Sequence, residues 1–257
     1  MALPSGIDTA AKITPDVAAK TKAAGQEFIG RYLVPPVGAT ASKALTEVEA
    51  GIIHDAGLGI LLCWELTANR AKGGAAAGTS DGATAKNLAR DMLIPYSAAI
   101  YFAVDYNAPA RDYDKIEQYL RAAAEAVHPY EVGVYGSYYV CEAMYLRGVT
   151  KNLWQCCAWS GSLISPHAYL YQRQWSGGSE SKAVAEKIGV PVDMNTCGNL
   201  FRARLWMPGE TLPAKPWYAD AMEWAQKNGI MDGTRPTDNA TRAEVAQMFY
   251  NLYNKGQ

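Results

Sequence analysis

The sequence predicts an α/β fold, a TIM-like (β/α)8 barrel, followed by a small all-α module. Short apolar runs alternate with helix-like segments over residues 1–206, which is the pattern of a parallel barrel. Continuous apolar runs such as 58–65 and 100–105 are typical of strands buried on both faces. A stretch with three prolines at 207–216 predicts a linker, so residues 217–257 form a separate module.

Eight segments of the predicted barrel have strand-like patterns. In chain order they are 6–8, 27–32, 58–65, 100–105, 131–135, 153–159, 168–174 and 190–193. Only 15 positions separate Trp159 from Gln174, which is too short for a crossover helix and a strand. We therefore expect the last units of the barrel to be irregular.

Helix start signals lie between these strands. Thr14 is a predicted N-cap before a proline, and Thr46 with Glu49 forms a capping box. Segments 112–127 and 137–147 have helical patterns as well. The pattern thus places helices between most of the strands.

The Ala/Gly-rich segment 72–80 follows the third strand. It lacks the Gly-Lys-Ser/Thr ending of a phosphate-binding loop, so a P-loop is excluded. Two interpretations remain for this segment: a flexible flap beside the strand ends, or an ordinary surface loop.

Composition excludes several classes of function. With 24 Lys+Arg against 25 Asp+Glu, the chain offers no basic field for nucleic acid. The three histidines are far apart, and no metal site or cofactor is expected. No apolar run is long enough for a membrane span, and the first residues do not resemble a signal peptide, so we expect synthesis without one.

The aromatic residues favour a ligand rich in hydroxyl groups. The chain has 16 Tyr and 7 Trp but only 4 Phe. Rings with a polar group suit surfaces that stack on sugars, although many half-exposed core tyrosines would explain part of the excess.

Carboxylates follow four of the eight predicted strands: Asp8, Glu65, Asp105 and Asp193. The carboxyl ends of parallel barrel strands converge on one face, where active sites form. Clustered carboxylates raise one another's pKa values, as a general acid requires near neutral pH. Acids with nearby rings therefore indicate glycoside hydrolysis. The alternative is that each acid caps a helix or pairs with an arginine, the candidates being Arg31, Arg111 and Arg173.

Polar and aromatic residues near the same strand ends are the expected substrate contacts. They are Tyr32, Trp64, Asn107, Tyr135, Trp159, Gln174 and Trp175.

Several short motifs resemble the glycoside-hydrolase-like domain of unknown function 1906 family, a relative of the family 25 lysozymes. They are Gly6-Ile-Asp8, Gly30-Arg-Tyr32, Tyr101-Phe-Ala-Val-Asp-Tyr106, Gly133-Val-Tyr-Gly136, Gln174-Trp175 and Val192-Asp-Met-Asn195. The resemblance implies cleavage of peptidoglycan glycan strands. In family 25 the fourth strand ends Asp-x-Glu; Asp105 matches the Asp, and Asn107 stands at the Glu position. Asp8 and Asp193 match supporting acids, and Glu65 is the expected substitute for the missing acid.

Residues 217–257 resemble one S-layer homology (SLH) motif. The matching segments are Trp217-Tyr-Ala-Asp-Ala, Asn228-Gly-Ile-Met-Asp-Gly and Arg235 through Glu244. The resemblance implies binding to acidic secondary cell-wall polysaccharide, with Arg242 facing the anionic sugar and Trp217 stacking. Such motifs act as three copies, and a hairpin of about 40 residues is too small to be stable alone, so we expect a homo-oligomer formed through this module.

These observations predict a lysozyme-like peptidoglycan hydrolase, in the manner of an endolysin, acting at the bacterial cell wall. Glu65 is the expected acid/base and Asp105 its partner, with Asp8 and Asp193 adjusting both. The first rival is a non-catalytic wall-binding protein whose barrel keeps the sugar groove. The second is a surface protein that assembles through its C-terminal module.

Overall fold

The computed structural model describes residues 3–212, 224–225, 227–230 and 245–249. The chain divides into two compact units, Met1–Leu212 and Pro213–Gln257. The backbone N–H of Leu212 donates to the carbonyl of Leu93, 2.8 Å away, so residues 207–212 belong to the first unit. The barrel unit thus extends beyond the predicted boundary at 206, because part of the proline-rich stretch is hydrogen bonded to it.

The first unit is a closed barrel of eight strands that are neighbours in chain order. The strands are β1 (Ser5–Asp8), β2 (Phe28–Tyr32), β3 (Gly59–Trp64), β4 (Ala99–Ala103), β5 (Glu131–Gly136), β6 (Asn152–Cys156), β7 (Leu170–Gln174) and β8 (Asp193–Cys197). The predicted TIM-like fold is confirmed.

The irregularity predicted for the last units is confirmed as well. Strands β1 to β7 pair in parallel, but β8 pairs antiparallel with both β7 and β1. No helix lies between β6 and β7. The short connection between these strands leaves no room for one.

Six α-helices surround the barrel. They are α1 (Pro15–Ala23), α2 (Glu47–Asp55), α3 (Gly74–Asp91), α4 (Tyr113–Val127), α5 (Tyr138–Leu146) and α6 (Ser179–Ile188). The predicted N-caps form: the Thr14 hydroxyl accepts from the N–H of Val17, and the Thr46 hydroxyl accepts from the N–H of Glu49. The Glu49 side chain does not complete a capping box, because it binds Arg31 instead. None of the helices in the described residues is long and apolar enough to cross a membrane.

Alternation along each strand separates two apolar layers. On β3, Leu61 and Cys63 point into the barrel, whereas Leu62 and Trp64 pack in the layer between the strands and the helices. Trp64 is only 1% exposed and its ring lies beside Phe102. The predicted substrate contact of Trp64 is therefore wrong, because its strand position turns the ring away from the barrel interior.

The amino ends of the strands are closed by the segment that follows β8. The N–H of Ala99 donates to the carbonyl of Arg204, and the Tyr101 hydroxyl donates to the carbonyl of Ala203. Ile60 and Trp206 form an antiparallel bridge. These bonds leave the carboxyl ends of β1 to β7 as the open mouth of the barrel.

The segment 72–80 is neither a flap nor a loop, since most of it belongs to α3. Two glycines of α3, Gly78 and Gly82, lie against the backbone of α4. A Cβ atom on Gly78 would lie 2.1 Å from the carbonyl oxygen of Tyr119, and one on Gly82 would lie 2.6 Å from that of Ala123. Glycine is required here because two helix backbones meet, which no local turn signal reveals.

Gly78→Ala is expected to lower the free energy of unfolding by about 1–3 kcal/mol, because the added methyl group meets the α4 backbone. Gly51→Ala, in α2, is the matched control, since no atom lies within 4 Å of the position of its added Cβ. That variant should be neutral or gain up to about 1 kcal/mol from helix propensity. Urea titration of both variants measures the difference, and equal stability would contradict the close helix contact.

Candidate functional site

The four predicted carboxylates line one cavity of about 100 Å³ at the mouth of the barrel. Its lining residues are Asp8, Tyr32, Cys63, Glu65, Ala103, Asp105, Tyr135, Trp154, Gln172 and Asp193. Tyr32 and Tyr135, which were also predicted at strand ends, line the same cavity as the acids. Cys63, Trp154 and Gln172 were not among the predicted site residues.

Asp193 reaches the mouth by a route that differs from the prediction. The sequence placed it at the carboxyl end of a parallel strand 190–193, but it is the first residue of β8. Because β8 is antiparallel to β1, its first residue lies opposite Asp8, the last residue of β1. The strand bounds and direction were wrong, and the location of the side chain was right.

Amide side chains connect Asp8 and Asp193. Gln172 Nε2 lies 3.0 Å from an oxygen of each carboxylate. Asn195 Nδ2 donates to the same Asp8 oxygen at 2.7 Å. The Tyr135 hydroxyl in turn donates to Gln172 Oε1 at 2.9 Å. This network fixes both acids at the base of the cavity.

The residues that sequence reasoning missed left a weak signal. Gln172 and Asn195 are buried amides within strands, and buried polar groups need a partner. Asn195 stands in the Val192-Asp-Met-Asn195 motif, and the Trp154 indole N–H binds its Oδ1 at 2.9 Å. Assigning these side chains to the interior required the strand register.

Burial and neighbouring carboxylates raise the pKa values of three of the four acids. Burial, followed by the charge of Asp193, raises the pKa of Asp8 to about 7. Burial, followed by the charge of Glu65, raises the pKa of Asp105 to about 6. Burial also raises the pKa of Asp193. The cavity therefore holds protonated carboxyl groups under conditions where an exposed aspartate is ionised.

Glu65 has a different environment. Its carboxylate forms an ion pair with Lys43, with Nζ 2.7 Å from Oε2, and both side chains are mostly buried. The same ammonium group lies 4.3 Å from the centre of the Tyr32 ring. Lys43 is the only cation that ion-pairs with a cavity carboxylate within the described part of the chain. Glu65 therefore has a cationic partner in place, whereas no ion pair of Asp8, Asp105 or Asp193 is found among the described residues.

Four other predicted contacts do not line the cavity. Gln174 Oε1 accepts from the N–H of Ser181, so its side chain caps the start of α6. Trp159 lies beyond the end of β6, and Trp175 is 63% exposed and lies against Gly177. Asn107 is exposed and lies four residues after the end of β4, because that strand ends at Ala103, before Asp105. Gln174 is thus engaged in the protein itself, whereas substrate contact by Asn107, Trp159 and Trp175 outside the cavity stays a prediction.

The arginine alternative fails for the mouth acids. Arg31 is fully buried but pairs with Glu49, and Arg173 pairs with Glu180. Trp217 and Arg242, the predicted wall-binding residues, lie outside the described residues. No group of three or more potential metal ligands occurs in the part of the chain that the structure describes.

A family model for the Rv2525c-like, glycoside hydrolase-like domain matches residues 19–252. The chain belongs to this family. The match includes most of the barrel unit and continues into the second unit. Membership agrees with the sugar-directed interpretation of the cavity at the level of a glycoside hydrolase-like domain.

Individual relatives support the same fold. The Tat-secreted protein Rv2525c of Mycobacterium tuberculosis, solved with L-tartrate, is 26% identical, has a TM-score of 0.69, and aligns over 80% of this chain and 100% of its own. A Streptococcus pneumoniae glycosyl hydrolase 25 that participates in host cell invasion aligns over 80% of this chain and 94% of its own; at 12% identity and a TM-score of 0.52 it shows the fold alone. The uncharacterized protein YbfG of Bacillus subtilis is 34% identical over 57% of this chain. The chain spans about a quarter of the length of the curated relatives it matches, 22% and 26%.

Asp8→Asn is expected to raise stability above neutral pH. The native pKa of Asp8 lies near 7, above the ordinary value of 3.8, so its ionisation costs stability as the pH rises between about 4 and 7. An asparagine oxygen can still accept from Gln172 and Asn195, which both bind one Asp8 oxygen. We expect a gain of about 1–2 kcal/mol at pH 8, because one pKa unit corresponds to about 1.4 kcal/mol and Asp193 shares the effect. Thermal unfolding at pH 4 and pH 8 tests this; a gain of equal size at both values would contradict it.

Proposed function

We propose that this chain is a glycoside hydrolase that cleaves the glycan strands of bacterial peptidoglycan. One observation supports this proposal above the others: carboxyl groups with raised pKa values share one cavity with Tyr32, Tyr135 and Trp154 at the mouth of the barrel. Paired acids of this kind perform glycoside hydrolysis, and rings beside them hold sugar faces. Family membership supports the reaction class.

The environments of the acids assign their roles. Asp105, with a pKa of about 6, donates its proton to the leaving glycosidic oxygen as the bond to the anomeric carbon breaks. A water molecule then adds to the anomeric carbon, and its proton passes to the Asp105 carboxylate, which restores the acid. The Glu65 carboxylate, ion-paired with Lys43, stabilises the positive charge that develops on the sugar ring. This assignment exchanges the two roles expected from sequence, because Asp105 has the raised pKa and the Glu65 carboxylate is bound by Lys43. Asp8 and Asp193 are linked through Gln172, and Asp8, with a pKa of about 7, is protonated at mildly acidic pH and so limits the negative charge of the cavity.

The mouth offers room for more than one sugar. A second compartment of about 270 Å³ adjoins the cavity and shares Asp8, Tyr32 and Asp193 with it. Its other walls include the small side chains of Ala10 and Ala11. A glycan that crosses from the compartment into the cavity would place a glycosidic bond beside the acids, as hydrolysis within a polymer requires.

Release of reducing ends from purified peptidoglycan tests the proposal directly. The full chain should release them at mildly acidic pH, and heat-denatured protein should not. The second candidate function is non-catalytic wall binding, favoured by the amide Asn107 at the position of the family 25 acid. Binding to peptidoglycan with no release of reducing ends would replace the hydrolase with this second function.

We further propose that the second unit anchors the barrel to acidic wall polysaccharide as an SLH-type module and joins several copies of the chain. The resemblance of residues 217–257 to that motif supports this part of the proposal. Multivalent attachment through an oligomer would be much tighter than one module allows. Co-sedimentation with cell walls should decrease in Arg242→Glu and Trp217→Ala, and light scattering should show an oligomer; a monomer that binds walls unchanged in both variants would contradict it.

A further inference from the structure

A cavity larger than the one at the mouth lies at the opposite end of the barrel. It has a volume of about 490 Å³. Glu131 and Asn152 in its lining are the first residues of β5 and β6, and Ser97 and Tyr169 shortly precede β4 and β7. We call it the amino-end cavity, because it lies at the amino ends of these strands. It shares no lining residue with the mouth cavity.

Aromatic rings line the amino-end cavity. Phe201 is 89% exposed, so its ring is open to a ligand. Tyr169 lies nearby in the lining and is partly exposed. Tyr145 and His167 stack on each other with ring centres 3.9 Å apart. Such rings beside an open cavity provide faces on which a sugar can stack.

The charges in this cavity are not balanced internally. The lining holds three cations against two carboxylates. Glu131 pairs with Arg204 at 2.8 Å, and Glu210 accepts from the N–H of Met207 at 3.1 Å. Two cations in the lining, Lys151 and Arg202, have no carboxylate partner among the described residues. Arg202 instead binds the Tyr169 hydroxyl at 2.6 Å, and its guanidinium lies 5.5 Å from the centre of that ring.

The Tyr169–Arg202 contact holds a guanidinium group beside an aromatic face. A guanidinium binds carboxylate or phosphate oxygens with two parallel hydrogen bonds, and a lysine adds a second positive charge. Rings with unpaired cations match a saccharide that carries acidic groups. The mouth cavity has the opposite character, with four carboxylates and one lysine.

We propose that the amino-end cavity is a second saccharide-binding site that takes acidic sugar units, independent of the proposed hydrolysis at the mouth. Lys151 and Arg202 bind the carboxylate or phosphate groups, and Phe201 and Tyr169 contact the sugar face. Because the two cavities lie at opposite ends of the barrel, an acidic polysaccharide bound here leaves the mouth open.

Isothermal titration of the full chain tests this site. The probe is a tetrasaccharide of alternating glucuronate and N-acetylglucosamine, and neutral chitotetraose is the comparison. Lys151→Glu with Arg202→Glu should weaken binding of the acidic probe by about tenfold or more, since two charge-assisted contacts are lost. The same double variant should leave chitotetraose binding unchanged. Phe201→Ala should lower the affinity for the acidic probe by a smaller factor, and this factor should not change with salt concentration.

The matched control is Lys182→Glu with Lys187→Glu, two exposed lysines of α6 that line neither cavity. This control changes the net charge by the same amount, and it should bind the acidic probe as the parent does. Asp105→Asn should also bind it unchanged, which separates this site from the proposed hydrolase. Absence of binding, equal losses in both double variants, or loss in Asp105→Asn would overturn the proposal.

Discussion

Asp105→Asn should lower the rate of reducing-end release from peptidoglycan by roughly 10²- to 10⁴-fold, the usual contribution of a general acid. The side chain keeps its shape but loses the transferable proton. The parent rate should fall as the pH rises through about 6, because burial and Glu65 place the pKa of Asp105 there and only the protonated form donates. Initial rates between pH 4 and pH 8 measure both effects.

Asp16→Asn is the matched control, because Asp16 is an exposed carboxylate on α1 that lines neither part of the mouth. It should retain the parent rate. Glu65→Gln decides the exchange of roles between the two acids. This variant should also be inactive, but for a different reason: it loses the charge that stabilises the positive charge developing on the sugar ring. An active Asp105→Asn with an inactive Glu65→Gln would restore Glu65 as the acid, as the sequence suggested.

Glu49→Ala is expected to lower the free energy of unfolding by about 3–5 kcal/mol, the usual result of removing one partner of a buried ion pair. The Arg31 side chain is fully buried, and its Nε lies 2.9 Å from Glu49 Oε1. Without Glu49 the guanidinium stays buried without a counter-charge. The same carboxylate accepts from the N–H of Ile13 at 2.8 Å, so a second buried donor loses its partner. Urea unfolding at pH 7 gives the value.

Two comparisons separate the buried charge from a simple loss of packing. Glu47→Ala, an exposed glutamate on the same helix, should change stability by less than about 1 kcal/mol. The double variant Arg31→Met with Glu49→Leu should lower the free energy of unfolding by less than the sum of the decreases in Arg31→Met and Glu49→Leu alone, because no unpaired charge remains. Strict additivity would contradict the ion-pair explanation.

The buried pair also connects to the mouth. Arg31 donates to the carbonyls of Thr9, next to Asp8, and of Lys43, which holds Glu65. Arg31, which the sequence suggested as a partner for the mouth acids, thus contacts the backbone next to them and not their carboxylates. It fixes the backbone that carries the cavity groups.

The sequence by itself determined the barrel and the identity of its four mouth acids. Both follow from local patterns: buried strands are continuous apolar runs, and a carboxylate directly after such a run falls at the strand end. Asp8, Glu65 and Asp105 could be placed in this way. The N-caps Thr14 and Thr46 could also be predicted from the sequence, because an N-cap side chain bonds to a backbone N–H within the first turn of its own helix.

The tertiary structure decided what depends on direction and register. Trp64 and Gln172 differ in which face of a strand they occupy, and only strand pairing settles that. The antiparallel course of β8 brings Asp193 to the mouth from the other end of its strand. The partners of Glu65 and Glu49 are residues distant in sequence, so these ion pairs could not be derived from neighbours along the chain. Local interactions specify elements, and long-range contacts specify the chemistry of each side chain.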